Sequence, residues 1–307
     1  MEKVKLLHLV KDISLRYKIQ KINSMKKLVY TFIAIGFATS SVLAQDAPKS
    51  VRFGVFGRLT PTWYNMPTNN NYSKGGAILG TGFGLNMEFR VSDVVSFQTG
   101  IGGDFDGGKI KYNYTENNIN PANNYQTGYI LDNTPALQEI KGQSINSFTT
   151  GLLSGQYTEH SLLTRHIHTT YVTLPFVLKM KTKEISGFKY FVDFGGHVDV
   201  LAGAKANDNT TGVNYSTGSV STTSYTGLSM YKDCIPVRVG LNLGAGAEYR
   251  IAGTTSVFAS LNFVNSFIST VKANSVYNAT GYNGSGFIYA AQSLKSNGIQ
   301  INVGFLF

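Results

Sequence analysis

The chain has 307 residues, of which 42% are hydrophobic and only 14% are charged, and its single cysteine, Cys234, excludes an internal disulfide and a cysteine-based zinc site. Soluble domains usually carry about a quarter of their residues as Asp, Glu, Lys and Arg, so this composition disfavours a cytosolic globular protein and suits a barrel whose strands alternate apolar and polar residues. The formal charge of +10 does not indicate nucleic-acid binding, because residues 1–44 hold eight of the 27 basic residues and two of the 17 acidic ones, which leaves 19 against 15.

An export signal stands near the start of the chain. Met25, Lys26 and Lys27 form a short positive region, an apolar run follows over 28–37, and small residues precede Gln45. This order predicts a signal peptide over 25–44, cleaved after Ala44, and a mature barrel domain over 45–307. Residues 1–24 are interpreted as a mis-assigned upstream extension before the true initiator; the alternative is a cytoplasmic helix on a signal anchor.

A period of two runs through the mature chain, which is the pattern of strands with two different faces. In residues 76–91, Phe83 and Leu85 fall on one face, whereas Gly84 and Glu88 fall on the other. A long strand with glycines and charges on one side suits a barrel that meets lipid outside and holds small and polar groups inside. The alternation recurs around 51–64, 95–106, 171–180, 188–205, 235–250, 255–268 and 294–307.

These segments predict an all-β fold, a transmembrane antiparallel up-and-down β-barrel of about eight strands with long extracellular loops. The connections at 91–94, 182–187 and 251–254 are short, whereas those at 65–75, 113–165, 206–230 and 273–287 are long and polar. Short periplasmic turns and long extracellular loops are typical of outer-membrane barrels, so the predicted location is the outer membrane of a Gram-negative cell. Phe305 and Phe307 end the last strand and predict a C-terminal assembly signal.

The face opposite the lipid collects charges of both signs, which predicts a lumen charge network. About eight strands leave an interior just wide enough for side chains, and buried charges need partners, so we expect ion pairs to fill the lumen; the alternative is a selective ion path. The predicted members are Arg52, Arg58, Glu88, Arg90, Asp104, Asp106, Lys179, Lys189, Asp193, His197, Asp199, Arg238, Glu248 and Arg250.

Aromatic residues are expected at the two membrane interfaces, where their rings lie at the level of the lipid head groups. Gly107 and Gly108 coincide with a change of phase, after which Ile110 and Tyr112 take the apolar side, and this predicts a bulge. The predicted aromatic girdles comprise Trp63, Tyr112, Tyr114, Tyr190 and Tyr249.

Catalytic and metal-binding patterns are weak. His160, His166 and His168 cluster with Glu159 and could bind a metal, but no spacing fixes a third ligand. A hydrolase at the rim would need a nucleophile such as Ser161 at a fixed spacing from a base, and the sequence has no such pair. We therefore predict no enzyme, no cofactor and no metal site.

Three segments of the mature chain stand out as motifs: YVTLPFVLKMKTKEISG over 171–187, YFVDFGG over 190–196 and GLNLGAGAEYRI over 240–251. Together with the signal ending Leu43-Ala44-Gln45, they resemble the PorT-like outer-membrane barrels of Bacteroidetes. The resemblance spans essentially the whole mature chain, although loop 113–165 departs from it. It implies the barrel fold, and it implies more weakly a link to type IX protein secretion, with which the founding member is associated.

The expected function is a structural or interaction role, exerted through the extracellular loops of a barrel with a filled lumen. The alternatives are a small-solute porin and an accessory component of type IX secretion. The expected partners are outer-membrane lipid, the barrel-assembly machinery, and an envelope or extracellular partner at loops 113–165 and 206–230; nucleic acid is not expected.

Overall fold

The computed structural model of the protein describes residues 51–67, 72–112, 127–214, 219–283 and 286–307. The elements in chain order are β1 (Val51–Asn65), β2 (Tyr72–Gly76), β3 (Ile78–Arg90), β4 (Val95–Tyr112), β5 (Gly128–Asp132), α1 (Asn146–Leu153), β6 (Tyr157–Lys181), β7 (Phe188–Asn214), β8 (Ser219–Ser229), a 3-10 turn (Tyr231–Asp233), β9 (Val237–Ala252), β10 (Thr255–Ser269), β11 (Asn274–Asn283), β12 (Gly286–Ala291) and β13 (Lys295–Leu306). The predicted extension 1–24, the signal peptide 25–44 and Tyr114 lie outside the described residues. No helix in the described ranges is long and apolar enough to cross a membrane.

Eight of the strands form a closed antiparallel ring in the order β1-β3-β4-β6-β7-β9-β10-β13. The last strand returns to the first, with Val55 opposite Phe305 and Leu59 opposite Ile301. Because the sheet closes on itself, its ring strands satisfy their backbone groups without an exposed edge, as a membrane requires. The predicted all-β barrel of about eight strands is therefore confirmed.

The outer surface of the ring carries a lipid-facing band of exposed apolar side chains. On β4 the band runs from Phe97 to Phe105, and on β6 from Val172 to Met180. Each segment is nine residues long, and a tilted transmembrane strand needs about 9–11. Leu79, 66% exposed, illustrates why this surface needs lipid, since water would disfavour a continuous band of such side chains.

Two ring strands continue far beyond the lipid-facing band. β6 has 25 residues and β7 has 27, so more than half of each lies outside the lipid. The predicted loops 113–165 and 206–230 are therefore partly strand: β6 already begins at Tyr157, β7 runs to Asn214, and β8 pairs beside it. Their Thr-, Asn- and Ser-rich composition indicated loop, but it equally suits strands whose outer face meets water.

The interior changes from polar to apolar on the extracellular side of this band. β4 pairs with β6 without a register shift, so Ile110 and Tyr112 keep the inward phase of Asp106. The predicted bulge at Gly107 and Gly108 is therefore wrong, and the irregularity lies on β2, between Lys74 and Gly76. The phase of the strand is constant, and the chemistry of the space that it faces is what changes.

Candidate functional site: the lumen and its extracellular cover

The periplasmic end of the lumen holds a charge layer of three cations and two carboxylates. Arg52 lies 2.9 Å from Glu88 and 2.9 Å from Glu248. Lys179 and Lys181 each lie 2.8 Å from Glu248 and also contact Glu88. Four different strands supply these five residues, so the pairs bridge the lumen from wall to wall. Each carboxylate has several cationic partners, as buried charges require.

An apolar ring lies directly above this periplasmic layer. Phe56, Phe191, Phe258 and Leu306 form one buried cluster inside the barrel. The Nζ of Lys179 lies 3.7 Å from the centre of the Phe191 ring, which adds a cation–π contact to its ion pairs. These apolar side chains narrow the lumen where they contact the charge layer.

Side-chain amides fill the next level. Asn262 donates to Asn242 at 2.9 Å and accepts from Asn302 at 3.0 Å. Asp193 accepts from Asn262 at 3.4 Å, and its other carboxylate oxygen has no hydrogen-bond partner in the protein. A small polar cavity borders this oxygen, which makes water its natural partner.

A second charge layer crosses the lumen nearer the extracellular side. Arg58 lies 3.3 Å from Asp104, which also accepts a hydrogen bond from Thr173 at 2.6 Å. The pair is buried on both sides, with the side chains 7% and 11% exposed. It fixes β1, β4 and β6 to one another across the interior.

Arg238 is the centre of this second layer. Its Nε donates to Asp199 at 2.7 Å, its Nη2 binds Asp106, and its guanidinium lies 3.8 Å from the centre of the Tyr171 ring. His197 lies 3.6 Å from Asp199. One arginine thus joins carboxylates from β4 and β7, and the aromatic ring covers its flat face.

An apolar core covers the extracellular end of the lumen. It is built from the inner faces of the extended strands and from the connections that fold over them. Its buried members are Tyr64, Met66, Tyr72, Ile110, Tyr129, Leu131, Leu162, Ile167, Tyr171, Leu201, Ala204, Ala206, Leu228, Met230, Cys234, Val271, Val276, Tyr277 and Leu294. We call this set the extracellular cover.

Asp233 holds the extracellular cover together. It is fully buried and accepts hydrogen bonds from the Ser275 hydroxyl at 2.7 Å, the Val276 backbone N–H at 2.6 Å and the Gln292 amide at 3.1 Å. These donors come from β11 and from the segment after β12, so one carboxylate fastens the 3-10 turn to two other connections.

A second buried ion pair lies within the same cover. Arg165 donates to both oxygens of Asp208, at 2.8 and 2.7 Å, and its guanidinium lies over the Tyr129 ring. Arg165 is 1% exposed. Asp233, Arg165 and Asp208 were all missed in the sequence, because they lie in segments interpreted as loops or at their ends, where no inward face had been assigned.

The structure brings together eleven of the fourteen residues predicted for the lumen network. These are Arg52, Arg58, Glu88, Asp104, Asp106, Lys179, Asp193, His197, Asp199, Arg238 and Glu248. Lys181 also belongs to this network, although it was not among the predicted members. It faces inward because it has the same phase as Lys179 on β6.

Arg90, Lys189 and Arg250 lie elsewhere, at the periplasmic rim. Arg90 pairs with Asp93 in the turn after β3, and Lys189 and Arg250 pair with Glu184 in the turn after β6. Their phase along the strand is that of the lumen, but their side chains lie beyond the end of the enclosed interior and reach back to the turns.

Some of the predicted girdle residues lie at the membrane interfaces and others do not. Trp63 points outward at the extracellular end of β1, and Tyr190 and Tyr249 are exposed at the periplasmic end, where both approach the Phe188 ring. Tyr112 packs against the extracellular cover, because β4 keeps its inward phase there. Phe305 and Phe307 face outward at the end of the chain, 48% and 53% exposed.

The histidines do not converge on one point. His160 faces inward between Tyr129 and Tyr225, with ring centroids 5.9 and 5.0 Å away, and burial lowers its pKa to about 4. His166 and His168 lie on the outer face of β6. In the described part of the chain no group of three His, Cys, Asp or Glu side chains is placed to hold a metal ion. Cys234 is buried, and burial raises the pKa of its thiol to about 12, so it is not a thiolate at neutral pH.

Comparison with solved structures gives distant outer-membrane proteins. The alignment with Neisserial surface protein A covers 82% of this chain and 95% of that protein's chain, with 9% identity and a TM-score of 0.29. The alignment with Ail of Yersinia pestis covers 84% of this chain and 99% of the Ail chain, with 9% identity and a TM-score of 0.28. The alignment with OprG of Pseudomonas aeruginosa covers 84% of this chain and 95% of the OprG chain, with 11% identity and a TM-score of 0.37. No curated protein matches the sequence.

A family model matches most of the chain. The model of the outer membrane protein beta-barrel domain matches residues 43–272. That range begins next to the predicted cleavage site and includes seven of the eight ring strands, and the closed ring with its lipid-facing band is the structure that such a domain requires. The chain therefore belongs to the outer membrane protein β-barrel domain family, and it is a protein of the Gram-negative outer membrane.

Proposed function

We propose that this barrel acts through its extracellular part, as a structural or interaction protein, and is neither a pore nor an enzyme. The observation that carries the proposal is the filled lumen. Two charge layers, an apolar ring and an amide layer follow one another along the axis, and the extracellular cover closes the far end. A solute would have to displace side chains at each of these levels.

The remaining internal space supports this proposal. One cavity of about 40 Å³ is lined by the residues of the second charge layer, and another of about 50 Å³ is lined by the apolar ring and the amide layer. A bound water needs roughly 10–15 Å³ of such space, so each cavity has room for a few waters. That volume suits hydration of polar side chains such as Asp193 and disfavours a conducting path.

The extracellular sheet offers the surface for an interaction. The strand order ends at β8 on one side and at β12 on the other, and among the described strands β8 pairs with β7 alone. An edge strand exposes backbone donors and acceptors that a partner strand can pair with. We propose an envelope or extracellular partner within 113–165 and 206–230, where β8 supplies the exposed edge. The other proposed partners are outer-membrane lipid and the barrel-assembly machinery, for which Phe305 and Phe307 would be the terminal signal.

The test is conductance of the folded barrel. We expect the protein purified from outer membranes, with its heat-modifiable gel shift intact, to give no discrete steps in a planar bilayer, because side chains occupy each level of its axis. A general porin in the same bilayer is the positive control. Stable single-channel steps from the folded protein would instead assign a water path to the inward charges and make it a small-solute porin.

We also infer a second candidate function, an accessory role in type IX secretion as a PorT-like barrel of Bacteroidetes. The resemblance over 171–187 favours it, and the end of this stretch forms the periplasmic turn, with Ile185 58% exposed. In a deletion strain we expect secreted cargo to accumulate in the periplasm and to be released again when the gene is restored. Normal secretion in the deletion strain would eliminate this function and leave the first proposal standing.

A further inference from the structure

A basic face lies on the outside of the barrel, immediately above the lipid-facing band. It is formed by Lys109 and Lys111 on β4, His166 and His168 on β6, and Lys205 on β7. On β4 the outward residue Phe105 is the last of the band, and Lys109 and Lys111 follow it in the same phase. We call these five residues the basic outer face.

Strand pairing makes this face continuous. Lys109 lies opposite His166, and His168 lies opposite Lys205. Opposite residues on neighbouring strands have Cβ atoms about 5 Å apart, and diagonal neighbours are about 7–8 Å apart. The three amines and two imidazoles therefore occupy one patch across three strands, small enough for a single ligand to contact several of them.

The charges of this face have no acidic partner in the described part of the chain. None of its three lysines forms an ion pair there, and no acidic residue lies between them on the outer side of β4, β6 or β7. The neighbouring Asp106 and Asp208 point inward, where they pair with Arg238 and Arg165. Burial, and then the positive charges of Lys109 and His168, lower the pKa of His166, and the negative charge of Asp208 opposes this shift.

The height of the face relative to the membrane identifies what meets it. A strand rises about 3.4 Å per residue and a barrel strand tilts about 35–45°, so Lys109, four residues beyond Phe105, stands about 10 Å above the end of the apolar band. The head-group zone extends about 5–7 Å beyond the hydrocarbon core on each side, and a lysine side chain at this height can reach down into it. Because the periplasmic turns are at the other end, the zone belongs to the outer leaflet.

We propose that the basic outer face binds the phosphate groups of the phosphorylated glycolipid of the outer leaflet. An ammonium group is a phosphate ligand, and an imidazole N–H can donate beside it. Thr164, opposite Lys111, adds a hydroxyl suited to sugar hydroxyls. The Asn207 amide, opposite His166, is held by the Gly227 N–H at 2.8 Å and contacts His168 at 3.4 Å. The ligand is thus a neighbouring membrane lipid held against the barrel wall above its acyl chains.

The proposal is tested with lipid A as the probe. Each basic residue near an anionic membrane surface contributes about fivefold in affinity, so the triple variant Lys109→Gln, Lys111→Gln, Lys205→Gln should bind phosphorylated lipid A about 100-fold more weakly than the wild type in detergent. The matched control replaces three exposed lysines elsewhere, Lys141, Lys183 and Lys272, with glutamine and should stay within about threefold. The heat-modifiable gel shift establishes that each variant is folded.

Two further probes separate the sources of phosphate. Wild-type protein should bind dephosphorylated lipid A about 100-fold more weakly than the phosphorylated form, and inorganic phosphate should compete only at concentrations far above those of the lipid. Equal binding by the triple variant, equal binding of the dephosphorylated lipid, or competition by inorganic phosphate at lipid-like concentrations would each overturn the proposal.

Discussion

Replacing Arg238 with methionine is expected to destabilise the barrel by about 3–5 kcal/mol, the cost of removing one partner from a buried ion-pair network. The guanidinium neutralises Asp106 and Asp199, and it is itself buried under Tyr171. Methionine fills similar volume but leaves two carboxylates without a cation in the upper part of the lumen. Unfolding in urea in lipid vesicles, followed by the fluorescence of Trp63, the chain's single tryptophan, measures the change.

The same strand supplies the matched control. Arg250 on β9 also pairs with a carboxylate, but its side chain is 53% exposed at the periplasmic rim, and exposed pairs contribute about 0–1 kcal/mol. Arg250→Met should therefore unfold almost as the wild type does. Adding Asp199→Asn to Arg238→Met should recover part of the loss, because one unpaired charge is removed. Equal destabilisation by the two arginine variants would show that enclosure in the lumen does not set the strength of these pairs.

The barrel fold could be predicted from the sequence because the alternation of apolar and polar residues is local and is repeated in every strand. Alternation with a period of two assigns each strand residue to one of two faces, and this placed Arg58, Asp104 and Arg238 on the inside before any pairing was known. It could not say where along the axis the enclosed interior ends. Arg90 and Arg250 have the inward phase, yet they lie past that end and pair with turn residues.

The extracellular half was harder to predict for a different reason. Inside the lipid-facing band the inward face is polar apart from the apolar ring, whereas above the band the inward face is apolar and the outward face meets water. The outward residues of β6 change from Val172 to His168 and His166, while Ile167 faces the core. The rule that apolar residues face outward therefore fails above the band, where apolar residues face inward. For this reason Tyr112 was assigned to a girdle, and the extracellular parts of the strands were interpreted as loops.

The alternating pattern also could not predict which charged side chains pair with one another inside the barrel. Glu88 on β3 and Glu248 on β9 share the cations of β1 and β6, although these four strands are separated in sequence by as many as 196 residues. Phase places each of these side chains in the lumen, but the height at which each one meets the others depends on the register of every pair around the ring.

Replacing Asp233 with alanine is expected to open the extracellular cover while the ring strands stay folded. The carboxylate accepts from Ser275, Val276 and Gln292, and hydrogen bonds to a charged group are each worth about 1.5–3 kcal/mol. Loss of three such bonds should raise hydrogen exchange in residues 270–294 about 1,000-fold or more, since about 1.4 kcal/mol is a factor of ten. Exchange in the lipid-facing parts of β9 and β10 should be unchanged, because their ladders do not pass through Asp233.

A second aspartate with a similar set of bonds provides the control. Asp132 accepts from the backbone N–H groups of Thr134 and Ala136, at 2.9 and 3.2 Å, and from the Gln138 amide at 2.9 Å, but it does so at the exposed surface. Water can replace those bonds, so Asp132→Ala should change exchange locally and only slightly. If Asp233→Ala leaves exchange in 270–294 at its wild-type value, the apolar contacts alone hold the cover and the carboxylate is not its fastening. If exchange rises as expected and the bilayer stays silent, the charge layers below the cover are sufficient to close the lumen.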